Sequence, residues 1–565
     1  MQILVWVFEV LFISSLVGVF PLSLAETTSP GVCSEADRAA LLAFKAKIVK
    51  DTTGILSSWI GRDCCGGDWE GVQCNPAGRV TTLALQGPVK DSSMYMKGTL
   101  SSSLGSLPFL QVLVISGMKL ITGLGLLSHL QTLSLAGNHL KGPVPPSLGN
   151  LRNLEMINLG RNSLSGPIPA SLKNLHLLQS FDLSFNSLSG FIPEFIGQFR
   201  NITFIDLSNN QLSAHLPISM FNLVSLSYLS LSHNQLTGTI PEQVGNLKSL
   251  TSLSLSSNKF IGHIPASISR LQNLWSLNLS RNGFSDPLPD VSNRGIPSLL
   301  SIDLSFNNLS LGTVPKWITD RQLSDVNLAG CKLRGSLPRF TRPDSLSSID
   351  LSNNFLTGSI STFFTKMTSL QKVKLSNNLL KFDLSELKVP DGISSTDLHS
   401  NQVCGSLSSI LNNRTSSFLE VIDVSNNLIS GTIPEFSEGL NLKELNIGSN
   451  KIAGQIPSSI SNLIELERLD VSRNLITATI PMSLGRLANL HWLDLSINRL
   501  TGRIPTSLLG IKFMRHASFR ANRLCGEIPQ GRPYNIFPAS AYAHNLCLCG
   551  KPMLPCRGKK QETSQ

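Results

Sequence analysis

Eight aspartates form the most obvious array of groups that could do chemistry in this chain. Paired carboxylates are the machinery of glycoside hydrolysis, and several together can hold Ca²⁺. All eight, however, occupy one position of a repeated pattern with the consensus L-D-L-S, which favours a solvated consensus residue over a catalytic one. The sequence also has no G-x-S-x-G or H-E-x-x-H stretch. We therefore predict a protein that is not an enzyme and needs no cofactor or metal. The aspartates are Asp182, Asp206, Asp303, Asp350, Asp397, Asp423, Asp470 and Asp494.

Residues that depart from this pattern on the same exposed strand face are better candidates for function. Aromatic residues and arginine carry most of the binding energy in protein interfaces. Any single one could equally be a solvated or locally packed side chain, but together they favour a face that binds a protein or peptide. Two patches stand out on neighbouring repeats: Phe185, Phe204 and Tyr228, and then Arg468, Arg473, His491 and Trp492. The full set of candidates is Phe185, Phe204, Tyr228, His233, Trp275, Arg281, Lys372, Lys374, Arg468, Arg473, His491 and Trp492.

A motif repeated along nearly the whole chain determines the positions of these candidate residues in the fold. It has the form L-x-L-x-x-N-x-L-x-G-x-I-P, as in the stretch from Leu493 to Pro505. The leucines of the strand point inward and alternate with outward residues. One short strand cannot bury its apolar side alone, so the copies must stack on one another. The motif asparagine, replaced once by cysteine, recurs every 23 to 26 residues at Asn138, Asn162, Asn186, Asn210, Asn234, Asn258, Asn282, Asn307, Cys331, Asn354, Asn378, Asn401, Asn427, Asn450, Asn474, Asn498 and Asn522.

The motif asparagine has a structural task of its own. After each strand the chain turns, and its backbone N–H and C=O groups face the interior, where leaving one unpaired costs about 1–3 kcal/mol. An inward asparagine can bond both kinds of group in its own turn and in the neighbouring turn. Stacked copies therefore predict a ladder of asparagine hydrogen bonds. Cys331 keeps a small buried side chain with a weak donor at this position.

A repeat of this length and signature resembles the plant-specific type of leucine-rich repeat. Degenerate copies around Leu83 and Leu113 bring the total to about 19 repeats over residues 80–524. We therefore predict an α/β solenoid, a plant-type leucine-rich repeat superhelix with a concave parallel β-sheet and disulfide-bonded caps at both ends. The resemblance further implies a second short sheet beside the concave one, and 3₁₀ turns on the convex side.

Eight of the ten cysteines flank the repeats and mark the caps, which we place at residues 26–79 and 525–556. An open solenoid exposes the apolar face of its end copies, so caps are needed, and disulfides staple such segments in an oxidising compartment. Neither set shows the paired C-x₂-C spacing of a zinc site, and spacing alone leaves three connectivities open in each cap. The N-terminal cap is predicted to begin with an amphipathic helix whose apolar side contains Ala40, Leu41, Phe44 and Ile48.

Both caps carry a family resemblance. The stretches from Asp37 to Lys45, Leu56 to Trp59 and Cys64 to Cys74 are similar to the N-terminal cap of plant leucine-rich repeat proteins. The stretch from Tyr542 to Cys556 is similar to the C-terminal cap of polygalacturonase-inhibiting proteins. The same segments resemble secreted DNA-damage-repair/toleration-type proteins and receptor-like protein ectodomains. The resemblance implies the disulfides Cys33–Cys64, Cys65–Cys74, Cys525–Cys547 and Cys549–Cys556.

Two cysteines remain inside the repeats. Cys331 and Cys404 lie three repeats apart, which corresponds to about 14 Å at the usual spacing of strands. A disulfide needs Cα atoms within about 7 Å. We therefore predict two free, buried thiols.

The ends of the chain and its sequons predict a secreted glycoprotein. Residues 1–25 resemble a signal peptide, with a short membrane anchor as the alternative, and residues 557–565 form a polar tail. No later run is apolar and long enough to span a membrane, so we expect no transmembrane span. Asn278 lies between two strand leucines, so a glycan there would stand on the concave face. The four sequons are at Asn201, Asn278, Asn308 and Asn413.

The formal net charge of +11 bears on possible partners. Nucleic-acid binding would need this charge concentrated in one patch, whereas here it is spread along the chain, so we expect no nucleic-acid partner. A basic protein in a plant cell wall would be attracted by acidic pectin. Pectin is therefore a possible partner.

These patterns predict a secreted, non-enzymatic protein, and the family resemblance implies that it belongs to the plant cell wall or apoplast. The C-terminal cap suggests a role in defence, as a polygalacturonase inhibitor, although such inhibitors have about half as many repeats. The alternative is a soluble receptor-like ectodomain that binds a peptide or a wall-derived ligand. Such an ectodomain would signal through a membrane kinase co-receptor that itself carries leucine-rich repeats.

Overall fold

The computed structural model describes residues 32–87, 94–116, 119–121, 129–289, 291, 295–411 and 417–556. The predicted signal peptide, the sequon at Asn413 and the polar tail lie outside this part of the chain. Among the residues described, no helix has the length and apolar character needed to cross a membrane. The chain divides into two compact units, and the boundary falls between Leu164 and Ser165.

The N-terminal unit begins with the helix Glu35–Lys45, whose apolar side is buried as predicted except at Ile48. That prediction was wrong because the helix ends before this residue. Ile48 instead starts the strand Ile48–Asp51, which pairs antiparallel with Met96–Thr99. The extended backbone alternates its side chains with a period of two, so helical spacing no longer applies to Ile48.

Asp37 fastens this helix to the first strand of the repeats. Its carboxylate is fully buried, pairs with Arg79 at 2.8 Å and accepts a hydrogen bond from the backbone N–H of Val80 at 2.9 Å. Next to it, the rings of Trp59 and Trp69 stack with centroids 5.3 Å apart and are both buried. The N-terminal cap therefore has its own small core and covers the apolar side of the first strand.

Within each unit, every repeat contributes one strand to a parallel sheet, and the central leucine, isoleucine or equivalent residue of the strand is buried. In the N-terminal unit these strands are Val80–Gln86, Val112–Ser116, Thr132–Ser134 and Met156–Asn158, and the cap adds Val72–Cys74 in antiparallel orientation. In the C-terminal unit they are Ser180–Asp182, Phe204–Asp206, Tyr228–Ser230, Ser252–Ser254, Ser276–Asn278, Ser301–Asp303, Asp325–Asn327, Ser348–Asp350, Lys372–Lys374, Ser395–Asp397, Val421–Asp423, Glu444–Asn446, Arg468–Asp470, Trp492–Asp494 and His516–Ser518.

Shorter strands that follow the motif asparagine form further parallel sheets, and 3₁₀ turns complete most repeats. The short strands are Lys119–Ile121, Lys141–Pro143, Ser163–Gly166, Ser187–Phe191, Gln211–Ala214, Gln235–Gly238, Lys259–Gly262, Gly283–Phe284, Arg334–Gly335, Phe355–Gly358, Leu379–Leu380, Thr501–Gly502, Arg523–Glu527 and Cys547–Cys549. The turns are Ile55–Ser58, Ser102–Ser106, Pro146–Asn150, Ala170–Asn174, Glu194–Gln198, Ile218–Asn222, Glu242–Asn246, Ala266–Arg270, Pro343–Ser345, Leu384–Glu386, Leu407–Ser409, Ser458–Asn462, Met482–Arg486, Thr506–Gly510 and Ala539–Ala541, with one α-helical turn at Lys316–Thr319. Both features implied by the resemblance are confirmed.

The asparagine ladder is present as predicted. Asn210 Nδ2 donates to the carbonyls of Leu207 and Ser208 in its own turn, and to Leu183 in the preceding repeat. Its Oδ1 accepts the N–H of Leu188, again from the preceding repeat. Most ladder asparagines join two repeats in this way, with hydrogen bonds in both directions; the Oδ1 of Asn138 is the exception among the residues described, since it is buried without a partner. The ladder sets the stacking of the repeats as well as the conformation of each turn.

The four disulfides have the pairing that the resemblance implied: Cys33–Cys64, Cys65–Cys74, Cys525–Cys547 and Cys549–Cys556. The two remaining thiols are unpaired, as predicted. Cys331 is buried, and its sulfur lies 3.5 Å from the carbonyl oxygen of Leu304 in the preceding repeat. The thiol thus takes the place of the Nδ2 group with which a ladder asparagine bonds to the preceding repeat. Cys404 is only half-buried, contrary to the prediction. It lies outside the ladder position, three residues after Asn401, where nothing requires full burial.

The two thiols should differ in reactivity. Burial raises the pKa of Cys331 to about 12, with the carboxylates of Asp303 and Asp286 contributing, so only about one molecule in 10⁴ is ionised there at pH 8. We expect iodoacetamide to leave Cys331 unmodified in the native protein and to alkylate Cys404 faster. Peptide mapping by mass spectrometry measures both sites, with the denatured protein as control. A Cys331–Cys404 linked peptide would contradict the assignment.

Candidate functional site

The strands of the C-terminal unit present two outward side chains each. In Arg468–Asp470, for example, Leu469 is buried, whereas the first and third residues face outward. Parallel pairing places each first residue beside the first residue of the next strand, and each third beside the third. We call these two lines of side chains the first row and the second row. Neighbours in a row are one repeat apart in the sequence.

The twelve candidate residues occupy four different lines of this face, and all are at least partly exposed. Five lie in the first row: Phe204, Tyr228, Lys372, Arg468 and Trp492. Lys374 lies in the second row, and two residues directly precede a strand: Trp275 and His491. Four lie in the turns just before a motif asparagine, each with a positive φ: Phe185, His233, Arg281 and Arg473. The predicted patches are therefore brought together only in part.

In the aromatic patch, the structure joins two of the three residues. The rings of Phe204 and Tyr228 stack with centroids 4.6 Å apart and an interplanar angle of 7°. Phe185 lies in a turn with φ 51°, one residue before Asn186, whereas Phe204 and Tyr228 start their strands. The expected track of three aromatic residues is thus a stacked pair, with Phe185 in another line of the face.

In the second patch, Arg468 and Trp492 become part of a longer arrangement over four successive strands. The guanidinium carbon of Arg468 lies 4.5 Å from the ring centroid of Trp492. The other neighbour of Trp492 in the first row is His516, whose ring stacks on the indole at 3.8 Å and 16°. Glu444 Oε1 lies 3.2 Å from Arg468 Nε on the opposite side. We call Glu444, Arg468, Trp492 and His516 the cation–aromatic column.

Several carboxylates surround Arg468 in the cation–aromatic column. Burial raises the pKa of Glu444, and the nearby carboxylates of Asp423, Asp397 and Asp470 add to this effect, although Arg468 opposes it. The indole N–H of Trp492 is buried and has no hydrogen-bond partner among the residues described. Arg468 Nε is likewise buried without a hydrogen bond in this part of the chain, although Glu444 lies within ion-pair distance, so two polar groups of the column are not fully satisfied.

Sequence reasoning missed Glu444 and His516, and placed Arg473 and His491 in the patch instead. The strand His516-Ala517-Ser518 has alanine in place of the consensus leucine, so His516 was overlooked. The signal was available in the spacing, because each of the four column residues stands six positions before a motif asparagine: Glu444, Arg468, Trp492 and His516 before Asn450, Asn474, Asn498 and Asn522. Arg473 lies in the turn and His491 one residue before its strand.

The repeated aspartates have a structural task. Asp470 Oδ1, for example, accepts the backbone N–H of Ser472 at 3.0 Å, and Asp350 accepts that of Ser352 in the same way. A departure occurs at His399, which replaces that serine. Its Nδ1 lies 2.7 Å from Asp397 Oδ1, and its Nε2 lies 3.1 Å from the side-chain amide of Asn377. Asp397, His399 and Asp423 are close enough to share a metal ion, but both ring nitrogens of His399 already have protein partners.

His399 should make stability depend on pH. The hydrogen bond to Asp397 raises the pKa of His399, so its contribution is fully present below the unfolded value of about 6.5 and is lost as pH rises through the folded value. We expect wild type to exceed His399→Ser in unfolding free energy at pH 5.5 by more than at pH 8.5. The difference should be about 0.5 kcal/mol, as for partly exposed ion pairs. Urea titrations of both proteins measure it, and an equal gap at both pH values would contradict the ion pair.

Family profiles match most of the repeat region and the N-terminal cap. A profile described as leucine rich repeat N-terminal domain matches residues 34–75. One described as leucine rich repeat matches residues 128–188, 225–284 and 440–500, and a second of that description matches residues 201–223, 345–367 and 418–440. These ranges agree with the observed cap and strands.

Curated relatives are similar over short stretches. A DNA damage-repair/toleration protein of Arabidopsis thaliana is 36% identical over 122 residues, which cover 19% of this chain and 32% of that protein. Polygalacturonase inhibitor 1 of Phaseolus vulgaris is 35% identical over 96 residues, which cover 16% of this chain and 26% of the inhibitor. The chain thus spans less than a third of the length of either relative.

Solved structures are similar over most of the chain. The ectodomain of the Arabidopsis thaliana receptor kinase GASSHO1/SCHENGEN3, in complex with CASPARIAN STRIP INTEGRITY FACTOR 2, has a TM-score of 0.68 at 27% identity and covers 87% of this chain and 65% of that one. The Arabidopsis HAESA ectodomain, in complex with an IDA peptide hormone, has a TM-score of 0.56 at 28% identity and covers 91% and 98%. With the repeat profiles, the asparagine ladder and the stapled caps, these likenesses show that the chain belongs to the plant type of leucine-rich repeat proteins.

Proposed function

We propose that the protein acts outside the cell, without catalysis, by binding a peptide or protein ligand on the strand face of its C-terminal unit. The observation that carries this proposal is the cation–aromatic column. Stacked Trp492 and His516 offer a large, rigid, partly exposed surface, which loses little conformational entropy on binding. Secretion would follow from a signal peptide at residues 1–25, with caps at residues 26–79 and 525–556 around repeats at 80–524.

Arg468 gives the column its preference for a polar ligand group. Its ion pair with Glu444 involves Nε, and its two terminal nitrogens make no hydrogen bond to the residues described, so they can donate to a carbonyl or carboxylate of a ligand. Contact with Trp492 on one side and Glu444 on the other fixes the side chain before a ligand arrives. Pre-organisation of this kind reduces the entropic cost of binding.

Two functions fit a binding face of this type. Several solved neighbours that cover most of the chain are complexes, one with CASPARIAN STRIP INTEGRITY FACTOR 2 and one with an IDA peptide hormone ligand, and a further complex with IDA also contained the co-receptor SERK1. This favours a peptide ligand, with a membrane kinase co-receptor as partner. Polygalacturonase inhibition is the second function, because the inhibitors of Phaseolus vulgaris are similar in sequence over a short stretch.

Capture from plant extracellular fluid tests the proposal. The purified protein is incubated with the peptide fraction of that fluid, and retained peptides are identified by mass spectrometry. We expect a small set to be retained by wild type and by the control Phe513→Ala, whose ring is 73% exposed, but not by Trp492→Ala. Equal retention by all three proteins would refute the column as the binding site. Inhibition of a fungal polygalacturonase by wild type, without peptide capture, would select the second function.

A further inference from the structure

Three successive strands in the middle of the C-terminal unit carry unusually small outward residues. The strands Ser252–Ser254, Ser276–Asn278 and Ser301–Asp303 pair in parallel without a shift, so their first and third residues line up. Four of the six outward positions are serine: Ser252, Ser254, Ser276 and Ser301. We call these four residues the serine floor.

Larger side chains surround the serine floor. On the N-terminal side stands Tyr228, which is in register with Ser252 and is backed by Phe204. Trp275 and Leu300, each directly before a strand, stand along one edge, and the side chain of Leu300 is 47% exposed. Along the other edge, the guanidinium of Arg281 lies 4.8 Å from the ring centroid of Phe306. The floor is thus lower than its surroundings on three sides.

Asn278 stands within this surface and belongs to the sequon Asn278-Leu279-Ser280. Its Oδ1 accepts hydrogen bonds from the backbone N–H of Ser280 at 3.1 Å and from its hydroxyl at 2.7 Å. The consensus aspartate of the next repeat, Asp303, makes the same two bonds to Ser305, at 3.0 and 2.6 Å. An N-linked glycan is attached to Nδ2, so modification of Asn278 would leave the turn intact.

We propose that Asn278 carries an N-linked glycan whose first sugars lie on the serine floor. The inference rests on the proposed extracellular function, because the modification requires the secretory route. In the transfer, Nδ2 bonds to the anomeric carbon of a polyisoprenyl-pyrophosphate oligosaccharide as the bond from that carbon to the pyrophosphate oxygen breaks. The amide loses a proton and the lipid pyrophosphate leaves.

The surroundings suit a sugar better than a charged ligand. Ser254, Ser276 and Ser301 are partly exposed and offer hydroxyls to sugar hydroxyls, whereas Ser252 is buried. The faces of aromatic rings pack against the C–H groups of a pyranose. A glycan in this position closes the strand face between Tyr228 and Asp303 to a macromolecule. The cation–aromatic column, several repeats further on, stays open.

Two other described sequons provide internal controls in the same molecule. Asn201 is exposed just before its strand, and Asn308 is exposed just after a motif asparagine. Neither lies among the outward residues of the strands. All three acceptors pass through the same compartment during synthesis. Asn308 also shares the Asn-Leu-Ser sequon of Asn278, which makes it the matched control, whereas Asn201 is followed by Ile202 and Thr203.

Glycopeptide mass spectrometry of the full chain, secreted from a plant host that makes oligomannose glycans, tests the inference. We expect all three asparagines to be modified. An endoglycosidase applied to the native protein should trim the glycan on Asn278 about tenfold more slowly than those on Asn201 and Asn308. After denaturation the three rates should be equal. Tyr228→Ser should bring the native rate at Asn278 toward that of the other two.

The outcomes separate this inference from the proposed function. Modification of Asn201 and Asn308 without Asn278, or equal trimming of all three in the native protein, overturns the inference and leaves the extracellular function in place. Absence of any glycan overturns both. Asn278→Asp, which keeps the acceptor oxygen seen at Asp303, should lose one glycan in mass and fold as wild type does.

Discussion

Replacing Asn354 by alanine is expected to lower the free energy of unfolding by about 5 kcal/mol, because five hydrogen bonds of roughly 1 kcal/mol each are lost from the interior. Its Nδ2 donates to the carbonyls of Leu328, Leu351 and Ser352, and its Oδ1 accepts the N–H groups of Cys331 and Leu333. Alanine would leave the carbonyl of Leu328 and the N–H groups of Cys331 and Leu333 without partners, whereas the carbonyls of Leu351 and Ser352 each keep one other donor. Asn354→Asp should be at least as harmful, since a carboxylate would face three carbonyl oxygens.

The position of Asn354 next to Cys331 adds to this effect. The sulfur of Cys331 is a weak hydrogen-bonding group, so the hydrogen bonds of the ladder are already weaker in the preceding repeat. Chemical denaturation and amide hydrogen exchange over residues 328–356 measure the loss. Asn489→Ala, which removes an exposed asparagine, is the control and should stay within about 0.5 kcal/mol of wild type. A similar midpoint for Asn354→Ala and wild type would show that the ladder does not hold the repeats together.

Trp492→Ala is expected to weaken binding of the captured peptide by roughly 30-fold, the loss typical of a central aromatic anchor. Arg468→Ala should have an effect of similar size. Because the two side chains are in contact, the double variant should lose less than the sum of the single losses in free energy. Calorimetric titration of the four proteins gives the complete cycle.

The same variants should fold normally, which separates a binding role from a structural one. Arg468 and Trp492 are both partly exposed, whereas the apolar core runs through Leu469 and Leu493 below them. Thermal unfolding of the variants should therefore stay close to that of wild type. Phe513→Ala, which removes an aromatic ring in the connection between two strands, should leave the affinity unchanged. Additive losses in the cycle would mean that Arg468 and Trp492 contact the ligand independently.

Much of the fold could be predicted because the same short-range sequence pattern specifies the same local structure in every repeat. Buried leucines with a period of two, an asparagine for the turn and an I-P step into the 3₁₀ segment define a whole turn of the solenoid. Prediction was wrong where periodicity ends or changes. Ile48 follows the end of the cap helix, and Cys404 lies outside the ladder position.

The candidate site was predicted less well. A list of residues that depart from the consensus found Arg468 and Trp492 but included Phe185, which lies in a turn rather than in the row of Phe204 and Tyr228. It missed His516, whose strand lacks the usual leucine. Sequence departures show which side chains are unusual, and they do not show which of them touch.

The sequence by itself determined that this chain is a stack of leucine-rich repeats, because the motif recurs locally along the chain, and the cysteines that flank the repeats marked the two caps. Only the tertiary structure decided that Glu444, Arg468, Trp492 and His516 form one column, and that Asn278 stands beside the serine floor. Such contacts join residues one repeat apart, and they depend on unshifted parallel pairing between strands and on the stacking of side chains across it.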